Sequence, residues 1–275
     1  MSDLILLAID GSNTSQQAAK AAIQIAARSN LLVLGLYVVD ETFISDPQSD
    51  IRAELGVTEI PANKAELLSH FVMQGNRALS WLEYGCHNSD VLASTDVRFG
   101  GITETILKEA DQAMLIAIGR RGHGHNTDAS HLGLNFQSIA LHTQKPLLVG
   151  GDELCPIKHV LAAYRGGSQS KGTLEWASRL QHMLDVELTI LAVAGKDLEM
   201  KPEVDHRLIE QSGLKDYHIV NRVGRPADEI VSAANEVQAD LVIMGRYGST
   251  NPMEWLTGSV PDQVLRLTPL PVIIV

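Results

Sequence analysis

The chain has 275 residues, a formal net charge of -11 at pH 7 and a sequence pI of about 5.3. This length exceeds the usual size of one domain, and half of it is enough to bury a core of its own. An acidic chain repels the negative phosphate backbone, so we expect no nucleic-acid partner. With only 2 cysteines, neither a disulfide framework nor a cysteine zinc site is expected.

The sequence also predicts no membrane association. It contains no run of the roughly 20 apolar residues that a spanning helix requires. The first apolar run is interrupted by Asp3 and Asp10 and has no basic leader, so we expect no signal sequence. These features predict a cytoplasmic protein with no membrane partner.

Short apolar runs alternate with helical patterns through the first half. Residues 4–9 form a continuous apolar run ended by Asp10-Gly11-Ser12, and apolar residues 18, 22 and 25 then recur at helical spacing. Either Ser12 or Thr14 is expected to cap this helix. Further strands are predicted at 31–39, near Val97 and at 114–118, with a helix before the last of them.

The second half repeats this order. Strands are predicted at 160–164, 186–193, 217–223 and 241–244, and a helix follows the first strand with apolar residues 174, 177, 180 and 184. Pro226 lies where the first turn of a helix tolerates proline. We count five predicted strands in each half, and their alternation with helices is typical of parallel α/β units.

Each half also carries a glycine loop straight after its fourth predicted strand. The proline-led last strands match at an offset of 125, from Pro146 to Pro271, and the same offset relates Gly133 to Gly258. This repetition indicates an internal duplication. We therefore predict domains at 1–151 and 152–275, joined by a linker at 150–153. The loop glycines are Gly119, Gly122 and Gly133 in the first half and Gly245, Gly248 and Gly258, followed by Ser259, in the second.

One segment breaks the symmetry between the halves. The first half carries a longer crossover insert at 40–93, with an acidic, turn-rich part followed by an amphipathic helical pattern. The apolar side of that pattern contains Leu68, Val72, Leu79 and Leu82. Two interpretations stay open, a surface crossover helix with a solvated loop and a lid over a binding site.

Asp10-Gly11-Ser12, the loop that ends at Gly258-Ser259 and the proline-led last strand resemble the universal stress protein family in its tandem form. The resemblance spans nearly the whole chain. It implies that each half is an open parallel five-stranded sheet in the order 3-2-1-4-5 flanked by helices, an adenine nucleotide alpha hydrolase-like fold. It also implies ATP binding and an intramolecular pseudo-dimer of the two halves through their fifth strands. By the same resemblance, Asp10 would accept a hydrogen bond near the adenine, and Val39 would line the base pocket.

Physical reasoning points to the same region. Ligands of open parallel sheets bind beyond the carboxyl ends of the strands where the strand order reverses, which in this order lies between strands 1 and 4. Glycines there let backbone N–H groups approach phosphate oxygens, and the N-terminus of the last helix favours an anion. The predicted nucleotide-binding residues are Gly245, Gly248, Gly258, Ser259, Val260 and Arg165 in the second half and Asp10, Val39, Gly119, Gly122 and Gly133 in the first.

Neither half matches the family pattern completely. In the first half, Leu134 follows Gly133 where the second half has Ser259. In the second half, Arg165 stands at the position of Asp10 and Ala194 at that of Val39. One interpretation is that one half has lost its ligand and only stabilises the other, and if a single half binds, we favour the second for triphosphate capture. Arg165 would then either contact a phosphate or fill the base site.

Other chemistry is poorly supported by the sequence. His123, His125 and His131 lie in the first glycine loop without the fixed spacing of a zinc site, and solvated residues or extra positive charge near phosphates explain them better. Residues 165–170 only distantly resemble the serine-glycine-glycine-x-aspartate-serine loop of ATP pyrophosphatases. Neighbouring acids such as Asp228 and Glu229 point in different directions on a helix, which argues against paired acid/base catalysis.

The sequence thus predicts a stress-response protein that binds ATP, accompanied by Mg²⁺, with no catalytic residue, no protein-held metal and a possible homodimer. Two other classes stay open. One is a slow ATP-hydrolysing enzyme in which Asp10 or a loop histidine positions water. The other is an interaction scaffold with vestigial nucleotide pockets.

Overall fold

The structure is a computed structural model that describes residues 3–40, 64–122, 132–152, 156–195, 204–246 and 258–275, with Ser168 described by its backbone alone. The chain divides into two compact units, residues 1–152 and 153–275. Each unit is an α/β structure whose described residues form five parallel strands. The α/β class and the strand count predicted for each half are confirmed.

The first unit has strand order β3-β2-β1-β4-β5, which confirms the predicted order. The central strands β1 and β4 are almost wholly buried, as expected of a parallel sheet that is covered on both faces. Its elements are β1 (Leu4–Ala8), α1 (Asn13–Ser29), β2 (Leu32–Val39), α2 (Lys64–His87), β3 (Ala93–Phe99), α3 (Ile102–Ala110), β4 (Leu115–Gly119), α4 (Leu134–His142) and β5 (Leu147–Gly150).

The start of α1 settles which of two residues caps it. Ser12 is the N-cap, with extended backbone, and its hydroxyl accepts a hydrogen bond from the Ser15 N–H. Thr14 lies within the first turn of α1, and its hydroxyl bonds to the loop after β4 instead. The helix therefore begins where the sequence predicts, and Thr14 is left to hold the neighbouring loop.

Helix α2 lies in the longer insert and packs against β2 and β3. Leu79 and Leu82 are buried as predicted, whereas Leu68 and Val72 are only half-buried, and Phe71 takes their place in the core. The contact is tight, because a Cβ on Gly35 of β2 would lie 2.4 Å from Leu82 Cδ2. The described part of the insert is thus a crossover helix; residues 41–63, on which the lid interpretation depends, lie outside the described residues.

The second unit repeats the arrangement, with strand order β8-β7-β6-β9-β10. Helix α7 begins at Pro226, as predicted, and Gly224 and Gly100 each follow the third strand of their unit. Its elements are β6 (His159–Tyr164), a 3-10 turn (Gly167–Ser170), α5 (Lys171–Leu184), β7 (Glu187–Ala194), α6 (His206–Ser212), β8 (Tyr217–Val223), α7 (Pro226–Glu236), β9 (Leu241–Met244), α8 (Val260–Leu267) and β10 (Val272–Ile274).

Within the part of the chain that the structure describes, no helix has both the length and the apolar character needed to cross a membrane.

Candidate functional site

The strand order of each unit reverses between its first and fourth strands, which pair directly. Ala8 is the register partner of Ile118 in the first unit, and Ala163 is that of Met244 in the second. Asp10 lies two residues after Ala8 and Arg165 two residues after Ala163, so they occupy the same position in their units. Gly119 and Gly245 each lie one residue after the partner on the fourth strand. This is the edge where open parallel sheets bind ligands.

In the first unit, Asp10 reaches the loop that follows β4. Its Oδ1 accepts hydrogen bonds from the Ser12 N–H at 2.9 Å and from the Ser12 hydroxyl at 2.6 Å. A Cβ on Gly122 would lie 3.4 Å from the other carboxylate oxygen, Oδ2. The structure thus brings Asp10 and Gly122 together, as the sequence predicts, and Ser12 fixes the orientation of the carboxylate.

Gly119 has a packing role that the sequence did not reveal. A Cβ there would lie 2.7 Å from the Ser15 backbone nitrogen and 2.8 Å from Thr14 Oγ1, so only glycine lets α1 approach the end of β4. The Thr14 hydroxyl donates to the Arg121 carbonyl at 2.7 Å, and Arg121 N–H lies 3.2 Å from the same hydroxyl oxygen. The close contact at Gly119 is therefore with the protein's own helix.

Tyr37 is a site neighbour that the sequence analysis missed. Its ring lies under α2, where a Cβ on Gly75 would come within 2.5 Å of Tyr37 Cδ1. Burial, and then the negative charge of Asp10, raise the pKa of Tyr37 to about 12. The phenol therefore stays neutral at physiological pH beside the Asp10 carboxylate. No spacing in the sequence indicates this neighbour, because it comes from strand pairing.

Two buried arginines tie the first glycine loop to the end of the unit. Arg120 is 2 % exposed, and its Nε–H donates to the Gly150 carbonyl at 2.8 Å. Burial lowers the pKa of Arg120 to about 10, with Arg121 acting in the same direction and Asp152 opposing it, so the group stays charged at pH 7. Arg121 pairs with Asp152. Gly150 is also part of β5, so the predicted linker begins inside the sheet.

The last helices correct one predicted equivalence. The Gln137 N–H donates to the Gly133 carbonyl, and the Gln263 N–H donates to the Ser259 carbonyl. Gly133 is thus the N-cap of α4, as Ser259 is of α8, and it corresponds to Ser259 and not to Gly258. The offset between halves is 126 from the fourth strands to this point and 125 in the last strands, because α4 has 9 residues and α8 has 8.

Once Gly133 is matched with Ser259, the starts of the last helices differ between the two halves. Gly133 is buried with an ordinary backbone φ of -64°, and α4 has no side-chain cap. Gly258 is exposed at φ +86°, a conformation that favours glycine, and a Cβ on it would have no atom of the described residues within 4 Å. The open glycine and the serine cap are therefore both features of the second unit.

The start of α8, whose first residue is Val260, forms a variant of the capping box in which the acidic side chain binds the residue before the cap. The Ser259 hydroxyl accepts from the Asp262 N–H at 3.2 Å, and Asp262 Oδ2 accepts from the Gly258 N–H at 3.2 Å. Asp262 is 5 % exposed, and its Oδ1 accepts from Arg266 Nε at 3.0 Å and Nη2 at 2.7 Å. Arg266 thus balances the carboxylate charge. The spacing Ser259-x-x-Asp262 could have indicated this box from the sequence alone.

The second unit differs most in the Arg165 loop, residues 165–170. Thr173 Oγ1 lies 3.7 Å from a Cβ on Gly245, as Thr14 Oγ1 lies near Gly119, so these two threonines correspond. Three residues separate Asp10 from Thr14, but seven separate Arg165 from Thr173, so the second unit has four extra residues. These residues form a 3-10 turn before α5.

The remaining predicted residues are placed as follows. Val39 is buried at the end of β2, and its carbonyl accepts from Gly100, as that of Ala194 accepts from Gly224. This confirms that Val39 and Ala194 correspond, although neither side chain is open to solvent. Gly248 and the three histidines of the first glycine loop lie outside the described residues. Among the described residues, no group of three His, Cys, Asp or Glu could hold a metal ion.

A family model described as the universal stress protein family matches residues 1–149 and 195–275. The chain belongs to this family. A universal stress protein of Synechocystis sp. is 24% identical over 286 residues, which cover 98% of each chain. This universal stress protein thus has a relative that matches it along nearly its whole length.

Solved structures show the same fold. A universal stress protein from Archaeoglobus fulgidus DSM 4304 has a TM-score of 0.77 at 20% identity and covers 100% of this chain and 98% of its own. A universal stress protein of Pseudomonas aeruginosa UCBPP-PA14, itself described as putative, has a TM-score of 0.66 at 16% identity, covering 100% and 93%. The family-model segments leave out residues 150–194, which contain the Arg165 loop.

Proposed function

We propose that this universal stress protein binds adenine nucleotide, as ATP accompanied by Mg²⁺, and acts in the stress response through conformation or partners. The observation that carries the proposal is the open start of α8, where Gly258 at φ +86° precedes the Ser259 cap at the ligand-binding edge of the second sheet. In the first unit, the corresponding helix start is buried at Gly133. We therefore assign the triphosphate to the second half.

The electrostatics at this helix start support an anionic ligand. Backbone N–H groups at a helix N-terminus carry partial positive charge, worth about 0.3–1 kcal/mol toward an anion. The nearby Asp262 carboxylate would oppose phosphate if it were unpaired, but Arg266 bonds to it through two nitrogens, at 2.7 and 3.0 Å. The Asp262–Arg266 pair has no net charge, so it does not cancel the attraction between the helix N-terminus and an anionic ligand.

Magnesium would enter with the phosphates. It keeps several waters and commonly binds through phosphate oxygens and one or two carboxylates.

The first site offers weak support for turnover. Oδ1 of Asp10, whose carboxylate faces the first glycine loop, already accepts two hydrogen bonds from Ser12. A general base needs an accessible lone pair within reach of the attacking water. A slow ATP-hydrolysing enzyme is the second candidate because Asp10 Oδ2 still faces Gly122.

Nucleotide recovery tests the proposal directly. The purified chain is extracted with acid, the supernatant is separated by chromatography, and binding of added ATP is followed by calorimetry. About one nucleotide per chain is expected from a single active half. A chain that releases no nucleotide and shows no calorimetric ATP binding would refute the proposal and favour the scaffold.

A matched pair of glycine variants locates the site. Gly258→Val should lower ATP affinity at least tenfold, because a branched side chain fills the open space above the helix start. Gly213→Val is the control. Gly213 caps the C-terminal end of α6 at φ +77°, so a valine there is strained in the same way but lies away from the site. Equal loss in both variants would point to general destabilisation. Steady phosphate release that Asp10→Ala abolishes would instead identify the enzyme.

We also place the protein in the cytoplasm, as its composition predicts. Pairing of the two halves through their fifth strands, and a homodimer of whole chains, stay predictions.

A further inference from the structure

We infer that the second half recognises its ligand chiefly by the phosphates: Arg165 and the extended loop after β6 form a polyphosphate site with little preference for adenine. This inference rests on the proposed nucleotide binding of the same half. It adds a ligand class, nucleoside triphosphates of any base together with inorganic polyphosphate.

The first step is an inversion of charge at one position. The strand registers place Arg165 where the first unit has Asp10. A carboxylate there can accept hydrogen bonds from the amino group of a base, whereas a guanidinium only donates. Its planar fork of donors matches the geometry of phosphate oxygens. Arg165 is exposed at this edge, so a ligand can reach it without displacing the core.

The second step is the shape of the loop that follows Arg165. Gly166 at φ +109° and Gly167 at φ +55° hold conformations that other residues rarely adopt, and in the described part of the chain a Cβ on either would meet no atom within 4 Å. The Ser170 hydroxyl accepts from the N–H groups of Arg165 and Gly166 at 2.9 and 3.1 Å. The loop is thus fixed from within while its glycine backbone stays open on the outside.

The third step is the position of this loop beside the second glycine loop. The Gln169 carbonyl lies 3.9 Å from a Cβ on Gly245, so the extra residues border the start of that loop. In the first unit the corresponding space is closed, because a Cβ on Gly119 would lie only 2.7 Å from the Ser15 backbone nitrogen. The four-residue extension thus follows Arg165 directly and brings the Arg165 loop, with its two positive-φ glycines, to the start of the second glycine loop.

Competition between ligands tests the inference. Calorimetry on the full chain compares ATP, GTP and inorganic tripolyphosphate, each with Mg²⁺. Binding is assigned to the second half only where the Gly258→Val variant loses it. We expect the three affinities to agree within about fivefold. Arg165→Gln should weaken all three by about tenfold or more, as the loss of a charge-assisted contact predicts.

A second arginine provides the matched control. Arg225 also follows a strand at the carboxyl edge of the second sheet, is 74% exposed, and pairs only loosely with Asp228 at 3.7 Å. Arg225→Gln changes the net charge by the same amount and should leave all three affinities within about twofold of the parent. Arg165→Lys should retain part of the affinity, since it keeps the charge but loses the fork.

The outcomes separate the two proposals. If the chain binds no ATP, the proposed function itself fails. If ATP binds more than about thirtyfold tighter than GTP, and Arg165→Gln leaves its affinity unchanged, nucleotide binding stands and the phosphate-led site is overturned. Equal weakening by Arg165→Gln and Arg225→Gln would also overturn it, because the effect would then be one of overall charge.

Discussion

Gly150 lies against Thr14 so closely that a Cβ built on the glycine would be 2.0 Å from the Thr14 carbonyl oxygen. Gly150→Ala must therefore move α1 or β5, and we expect it to lower the free energy of unfolding by about 1–3 kcal/mol or more. Denaturant titration measures the change. Gly172→Ala is the control, because its Cβ would have Val275 Cγ2 at 3.7 Å as its nearest neighbour and a helical alanine is favourable. Equal losses in both variants would contradict the contact.

The capping box of α8 predicts a stability effect at Asp262. Asp262→Ala removes the acceptor of the Gly258 N–H and leaves Arg266 without its carboxylate, so we expect a loss of about 1–3 kcal/mol. Asp228→Ala, in the first turn of α7, removes a side chain that is 53% exposed, and should cost less than about 1 kcal/mol. Thermal and denaturant unfolding of both variants checks the difference. A smaller loss at Asp262 than at Asp228 would refute the box.

Tyr37 predicts how the protein responds to alkali. Its pKa is raised from 10.0 to about 12 in the folded protein, so the unfolded chain releases this proton first. The stability from Tyr37 is therefore complete below about pH 10 and is lost as the pH rises toward 12, by about 2–3 kcal/mol in total. Tyr37→Phe should flatten this decline, which is measured by denaturant titration across that range.

Two further variants check the cause of the Tyr37 effect. Asp10→Asn should lower the pKa of Tyr37, because the carboxylate charge disfavours the phenolate, and tyrosinate absorbance reports the shift. Tyr84 is 69% exposed, so Tyr84→Phe should leave the alkaline decline unchanged. An unaltered decline in Tyr37→Phe would show that another group controls it.

The corrected equivalence of the last helices predicts opposite effects of one substitution. Gly258→Ser forces a side chain into φ +86° and should cost about 1–2 kcal/mol. Gly133→Ser puts a capping hydroxyl on α4 at φ -64° and should gain a few tenths of a kcal/mol. Unfolding measurements on the two variants compare them. Similar costs at both positions would restore the pairing of Gly133 with Gly258.

The strands and most helix starts could be predicted because they depend on local patterns. The apolar run at β1 and Pro226 at the start of α7 each carry a local signal. The buried face of α2 could be predicted only in part: Leu79 and Leu82 are buried as expected, but the close contact of Gly75 with Tyr37 leaves no signal in the sequence. A glycine adds nothing to an apolar pattern, yet its missing side chain is what allows the helix to approach.

The candidate site was predictable only in part. The convergence of Asp10 and Gly122 follows from strand order, but the pairing of Gly133 with Gly258 was wrong, because α4 and α8 differ by one residue. The sequence favoured this pairing because the two residues are both glycine. Only the cap hydrogen bonds show that Gly133 takes the place of Ser259.

The bonds of Arg120 and Arg121 also determine where the two halves could be separated. A cut after Val149 would deprive Arg120 of its acceptor on Gly150, and a cut after residue 151 would strip Arg121 of Asp152. Either fragment would lose a polar partner of a buried arginine, and burying a cation costs free energy unless it is paired and hydrogen-bonded. Dissection of the first half into an independent protein therefore has to retain Asp152.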